Sequence, residues 1–132
     1  MSVLGEKTVM EKIKKTAKEI EPELIEIRRE LHQYPELGIK LPKTHEIISR
    51  ELRKIPGLLV QEHKAGGSGI IAVMRGEKGE GKTVLLRADI DALPLEEKAE
   101  SEYRSKNPGC MHACGHDGHA SWLIGAAKIL SE

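Results

Sequence analysis

Apolar residues recur at Met10, Ile13, Ala17, Ile20, Leu24, Ile27 and Leu31, in alternating steps of three and four. That spacing places them on one stripe of an amphipathic helix, suited to lie on a sheet. Pro22 falls inside the stripe, which predicts either a kink in one helix or a second helix opening at its first position. The stripe ends before Tyr34-Pro35-Glu36-Leu37-Gly38, a turn segment. Ile47, Ile48, Leu52 and Ile55 predict a second helix from near Lys43 to Lys54, stopped by Pro56-Gly57. Leu58 to His63 reads as a short strand and Ala65 to Gly69 as a turn. Gly69 to Arg75 and Thr83 to Ala88 read as two strands of one hairpin joined by Gly76 to Gly81. Ala92 to Ala113 has little periodicity and reads as a long loop, the kind that carries function in compact domains. A last helix is predicted from about Gly118 to Ser131. The elements add up to an α/β fold, part of a mixed sheet flanked by helices.

Composition narrows the function classes. The 132 residues are 39% hydrophobic, enough for one modest core. Twenty-one basic residues balance twenty-one acidic ones, which gives no electrostatic case for nucleic acid or an anionic membrane. Tyr34, Tyr103 and Trp122 are the only aromatics of the Phe/Trp/Tyr set, too few for a stacking platform. No apolar run is long enough to span a bilayer, and the charged first residues lack a signal-peptide apolar region, so the expected location is the cytoplasm. The glycines of 76–81 have no Lys-Ser/Thr pair behind them, which argues against a phosphate loop. Cys110 and Cys114 lie four apart, and in a reducing compartment they suggest metal binding or catalysis rather than a disulfide.

Chemistry is densest in Met111-His112-Ala113-Cys114-Gly115-His116-Asp117-Gly118-His119. Thiolate and imidazole are the preferred zinc ligands, and a carboxylate can join them. If this stretch is extended, His112, Cys114 and His116 point the same way. The competing reading is a polar turn with Asp117 capping the last helix. A second group, Asp89 and Asp91, sits at the expected carboxyl end of an apolar strand, where ligand groups collect in open α/β sheets. A carboxylate there can accept the second N–H of a ligating histidine; the alternative is a pair of aspartates making turn hydrogen bonds.

Taken in order, Arg28-Arg29-Glu30-Leu31-His32 with Tyr34-Pro35-Glu36-Leu37-Gly38, then Ala88-Asp89-Ile90-Asp91-Ala92-Leu93-Pro94, then Asn107-Pro108-Gly109 and the 111–119 segment resemble the amidohydrolase branch of the aminoacylase and carboxypeptidase metallohydrolases. That branch includes hippurate hydrolases, N-acyl-L-amino-acid amidohydrolases and hydrolases of indole-acetyl amino acids. The resemblance implies the N-terminal portion of a zinc-peptidase-like catalytic domain over 1–132, without the family's inserted dimerisation or lid domain and C-terminal catalytic part. It implies hydrolysis of the amide bond of N-acyl amino acids or small peptides, with a divalent metal as cofactor, zinc first and manganese, cobalt or nickel as alternatives. Cys114 and His116 match the family's thiolate and first histidine ligand, and Asp91 matches the aspartate that orients the metal site. Asp89 falls where sister branches carry a metal-binding histidine. Asp89, His112, Asp117 and His119 are expected to support the ligands or cap the helix.

Some residues are expected to stay outside the chemistry. His32 is assigned a packing or hydrogen-bonding role, Cys110 a buried or loop position, and His45 and His63 ordinary places on a helix and a strand surface. Glu96 and Glu97 read as solvated loop charges, so no general base is assigned within the chain. The expected partners are the small substrate and either a second copy or a companion chain carrying the rest of the enzyme. The rival expectation is a catalytically inactive truncated or split fragment, at most a weak metal-binding or interaction module, with exposed apolar surface and self-association. A small structural zinc protein is a third, more distant reading.

Overall fold

The computed structural model describes residues 3–77, 79 and 81–132, with side chains described from Lys7 onward. Helix α1 runs over Val3–Gln33 and passes through Pro22 without a break in the helix, so neither a second helix nor a new start is found there. Only the lower half of its stripe reaches the core. Ile27 and Leu31 are buried and Leu24 packs against them, whereas Met10 and Ile13 are exposed. Helix α2 spans Pro42–Arg53 and buries Ile47, Ile48 and Leu52. Pro sits at its first turn, where a missing N–H costs nothing. The carboxylate of Glu36 accepts from Lys43 N at 3.2 Å and Thr44 N at 2.8 Å, so the Pro-Glu-Leu-Gly turn supplies the helix with its anionic cap.

Strands β1 (Leu58–Lys64) and β2 (Gly69–Met74) form an antiparallel pair, closed by the turn around Ala65 to Ser68. Leu58 and Val60 of β1 and Ile70 and Met74 of β2 pack on the core. The register shifts between Gln61 and Lys64, which marks a bulge. The strand expected over Thr83 to Ala88 pairs with nothing among the described residues, and the hairpin partner of β2 is β1, not that segment. Both candidate pairs have a glycine-rich link. The tight turn at 65–68 wins because a short loop closes at lower entropic cost. The 76–81 link itself lies partly outside the described residues.

From Thr83 to Cys110 the chain has no helix or ladder, apart from one bridge between Leu93 and Met111, as the lack of periodicity predicts. It is nonetheless pinned. Ala92 N donates to Glu36 O (2.8 Å), Asn107 Nδ2 to Pro35 O (2.7 Å) and Cys110 Sγ to the same carbonyl (3.3 Å). Helix α3 covers His116–Leu130 and lies along α1, with Ala120 and Ile124 joining the core of Ile27, Leu31, Ile47, Ile48, Leu52 and Ile55. The class is α/β as expected: three helices with a small antiparallel sheet.

Candidate metal centre

Helix α3 begins two residues earlier than the pattern suggested, and its cap is Gly115. Gly115 has φ +84°, a left-handed conformation that strains any residue with a Cβ. The chain therefore turns at Ala113-Cys114 and enters the helix at His116 rather than running extended. Two expectations fall with that geometry. His112 is buried while Cys114 is exposed, so His112, Cys114 and His116 do not share one side. Asp117 is not the cap residue; it lies within the first turn and points inward.

The turn leaves Cys114 as a free, exposed thiol and His116 half-buried beside it in sequence. His116 Nδ1 lies 2.9 Å from Asp91 O and 3.0 Å from Asp91 Oδ1. Both partners are acceptors, so Nδ1 carries the proton and Nε2 keeps its lone pair when the ring is neutral. This is the arrangement by which a carboxylate fixes a metal-ligating imidazole. Asp89 is turned away, into an ion pair with Arg87. His119 is exposed, with its ring 5.7 Å from those of His116 and Trp122. Among the described residues, no third His, Cys, Asp or Glu donor closes a compact triple with Cys114 and His116.

Beneath the turn lies a buried ionic network that composition and spacing did not reveal. Asp117 Oδ2 is 2.7 Å from His32 Nδ1 and 2.8 Å from Arg28 Nε. His32 Nε2 is 3.2 Å from Glu97 Oε1, and Glu97 Oε2 accepts from Ser105 N at 2.7 Å. His32 thus has the hydrogen-bonding role expected of it. Glu97 is a correction: it is buried, not a solvated loop charge, because its carboxylate completes the shell of His32. Glu96 is exposed, as read, and accepts from Gly109 N. The hydrogen bond to Asp117 raises the His32 pKa, and Glu97 adds to it, against the burial that would lower it. Burial pushes the Asp117 carboxyl up, but the His32 hydrogen bond and the Arg28 charge outweigh it and hold it below the usual range. Neighbouring His112 is held low by burial, and neither ring nitrogen has a hydrogen-bond partner in the structure. Cys110 is buried as expected, and burial raises its thiol. His45 is a second correction: it is buried under the β1–β2 turn and not on a helix surface.

The fold and the turn define an α/β unit that presents a thiol and an oriented imidazole at a helix start. Residues 85–132 match peptidase family M20/M25/M40. Over 122 residues the chain is 46% identical to thermostable carboxypeptidase 1 of Saccharolobus solfataricus, covering 92% of this chain and 30% of that protein. It is 40% identical over 122 residues to an N-acyl-L-amino acid amidohydrolase of Geobacillus stearothermophilus, covering 92% of this chain and 32% of that one. A solved Bacillus subtilis structure, described as a dinuclear metal-binding peptidase of the M20 family, superposes with a TM-score of 0.80 at 38% identity, over 86% of this chain and 32% of that one. The chain thus resembles the M20/M25/M40 peptidases, among relatives named as carboxypeptidases, amidohydrolases and deacetylases. It spans about a third of the length of the relatives it matches.

Proposed function

We propose that the chain is the metal-binding part of a hydrolase that cleaves the amide bond of N-acyl amino acids or small peptides, acting in the cytoplasm. The single observation that carries the reading is the His116–Asp91 pair, with Nδ1 held on the carboxylate at 3.0 Å and Nε2 left free. The donor set fits a divalent metal: an exposed thiol and an oriented imidazole are what zinc prefers, with manganese, cobalt and nickel as alternatives. Cys114 and His116 would hold it. When bound, it would supply Lewis-acid polarisation of the amide carbonyl and activation of the attacking water.

The chain's own residues do the positioning. Asp91 keeps the proton on His116 Nδ1 and fixes the plane of the ring. Gly115 provides the bend that separates Cys114 from the helix. The Arg28–Asp117–His32–Glu97 network anchors the first turn of α3 to α1, so His116 cannot drift from Asp91. Asp89, His112 and His119 contribute no ligand in this reading. No general base is assigned here, and two donors are fewer than the three that catalytic zinc normally takes. The stretch 1–132 is accordingly read as part of a catalytic domain, completed by further polypeptide.

The test is bound zinc per chain, by elemental analysis, in wild type and Cys114→Ala, with hydrolysis of N-acetyl amino acids assayed in parallel. Zinc in the wild type that exceeds the amount held by the variant by one ion per chain supports the reading. Equal retention in both places the metal elsewhere and overturns it. A second reading, an inactive interaction module, draws on the exposure of Val84 (78%), Leu85 (88%) and Leu86 (49%). It predicts no turnover by the chain under any metal loading.

A further inference from the structure

Away from the Cys114 turn, His45 of α2 faces Glu62 and His63 of β1, and one donor atom from each residue lies within 4.8 Å of the others. His45 Nδ1 is 2.9 Å from Ser68 O, a pure acceptor, so Nδ1 carries the proton and the neutral ring turns its Nε2 lone pair outward. That lone pair meets Glu62 Oε1 at 3.9 Å. Two acceptors at this range can share a cation, in place of the Arg53 guanidinium that Glu62 Oε1 otherwise holds. Zinc bonds of about 2.0–2.2 Å to nitrogen and oxygen allow donors up to roughly 4 Å apart.

Adjacent residues on a regular strand point to opposite faces, so Glu62 and His63 should not both reach α2. The bulge between Gln61 and Lys64 makes it possible. His63 there adopts φ +53°, a left-handed conformation uncommon for a residue with a Cβ, and its ring stacks on His45 with centroids 4.4 Å apart. Ala65, two residues on, adopts the same region at φ +52°, so the bulge and turn together set this geometry. Arg53 now pairs with Glu62 Oε1 at 2.8 Å, but its side chain is mostly exposed and free to swing into water.

We propose that His45, Glu62 and His63 form a second metal site, distinct from the Cys114–His116 centre, that takes zinc or a similar borderline divalent ion and staples α2 to the β1–β2 hairpin. Two imidazoles and a carboxylate suit zinc, nickel or copper over calcium or magnesium, whose ligands are oxygens. The stacked rings must separate by a χ rotation of exposed His63 for both to reach one ion. Three protein donors leave a fourth position for water.

The test uses the tag-free chain carrying Cys114→Ala and His116→Ala, so its outcome does not depend on the first site. That protein, loaded with zinc and dialysed, is expected to keep one ion per chain and to lose it when His63→Asn is added. Asn suits the left-handed backbone at 63, so the fold should survive the change. Cobalt in the same background is expected to give ligand-field bands without thiolate charge transfer. In the unsubstituted chain, zinc is expected to shift the ring resonances of both His45 and His63 and to raise the Tm, with His63→Asn abolishing the shift in His45. No zinc retained with the first site removed, retention unaffected by His63→Asn, or unmoved His45 resonances would each overturn the proposal.

Discussion

Two residues show how single positions set the candidate centre. Gly115 stands at φ +84° with open space where a Cβ would go, so substitution is opposed by the backbone alone. Gly115→Ala is expected to cost about 1–2 kcal/mol and to weaken zinc retention at Cys114. Gly118→Ala is the matched control. Its added Cβ meets only Trp122 at an ordinary 3.9 Å, and it should leave both quantities nearly unchanged. Urea denaturation with metal analysis separates the pair. His32 makes the other case, since both its nitrogens face buried carboxylates. Its pKa is raised above the ordinary 6.5, so its stabilising contribution is complete below that value and disappears as pH rises through the folded-state pKa. Asp117 and Glu97 are depressed, so theirs is present above the ordinary carboxylate range and disappears as pH falls through their folded-state values. Stability should therefore peak between the two limbs. His32→Ala should remove the alkaline limb and cost about 1–3 kcal/mol, because each carboxylate loses one charged partner while Asp117 keeps Arg28 and Glu97 keeps Ser105 N. Unfolding free energy measured across pH tests this, and an alkaline limb unchanged in the variant would refute it.

At the level of elements, helices were legible and strand pairing was not. The positions Ile47, Ile48, Leu52 and Ile55 announced α2 because a helix buries its face through local periodicity, and all four are buried. Ile47 is completely enclosed, and Ile47→Ala is expected to lower unfolding free energy by about 2–5 kcal/mol in denaturant titrations. Strand character at 69–75 was equally plain, but alternation says nothing of the partner, and a closer turn captured it for β1. That turn is tightly seated. A Cβ at Gly67 would come within 2.2 Å of the Ile39 carbonyl, and Ser68 N already donates to that oxygen. The metal-type residues at 111–119 could be read from their crowding in sequence. The His32–Glu97–Asp117 network could not, because contacts across 65 and 85 positions leave no periodic trace. Glu97 looked solvated for the same reason: only the fold brings a histidine to it. The positive φ at Gly115 and His63 was likewise invisible, although glycine at 115 hinted at one of them.

At the scale of the whole molecule, the apolar surface is uneven in a way that bears on assembly. Val84, Leu85 and Leu86 are consecutive and exposed, and no described strand pairs with them. Leu59, Ile71 and Val73 add exposed apolar positions on the β1–β2 hairpin. A row of unpaired backbone groups flanked by such side chains is a template for another strand, whether from a second copy or from companion polypeptide. An edge of this kind is normally guarded by charge. Here Lys82 and Arg87 flank the three apolar residues, and none interrupts them. The net charge of zero offers no long-range repulsion to oppose association near neutral pH. The chain by itself is therefore expected to self-associate in a concentration-dependent way. Replacing Leu85 by Lys should shift it toward monomer without lowering the unfolding free energy, because Leu85 is 88% exposed and its removal opens no cavity. Sedimentation velocity over a dilution series, with denaturation of both proteins, reads the two quantities separately. Association that survives Leu85→Lys would move the contact to the hairpin face, and a monomer at every concentration would mean that the exposed segment is tolerated in solution and recruits no copy of the chain.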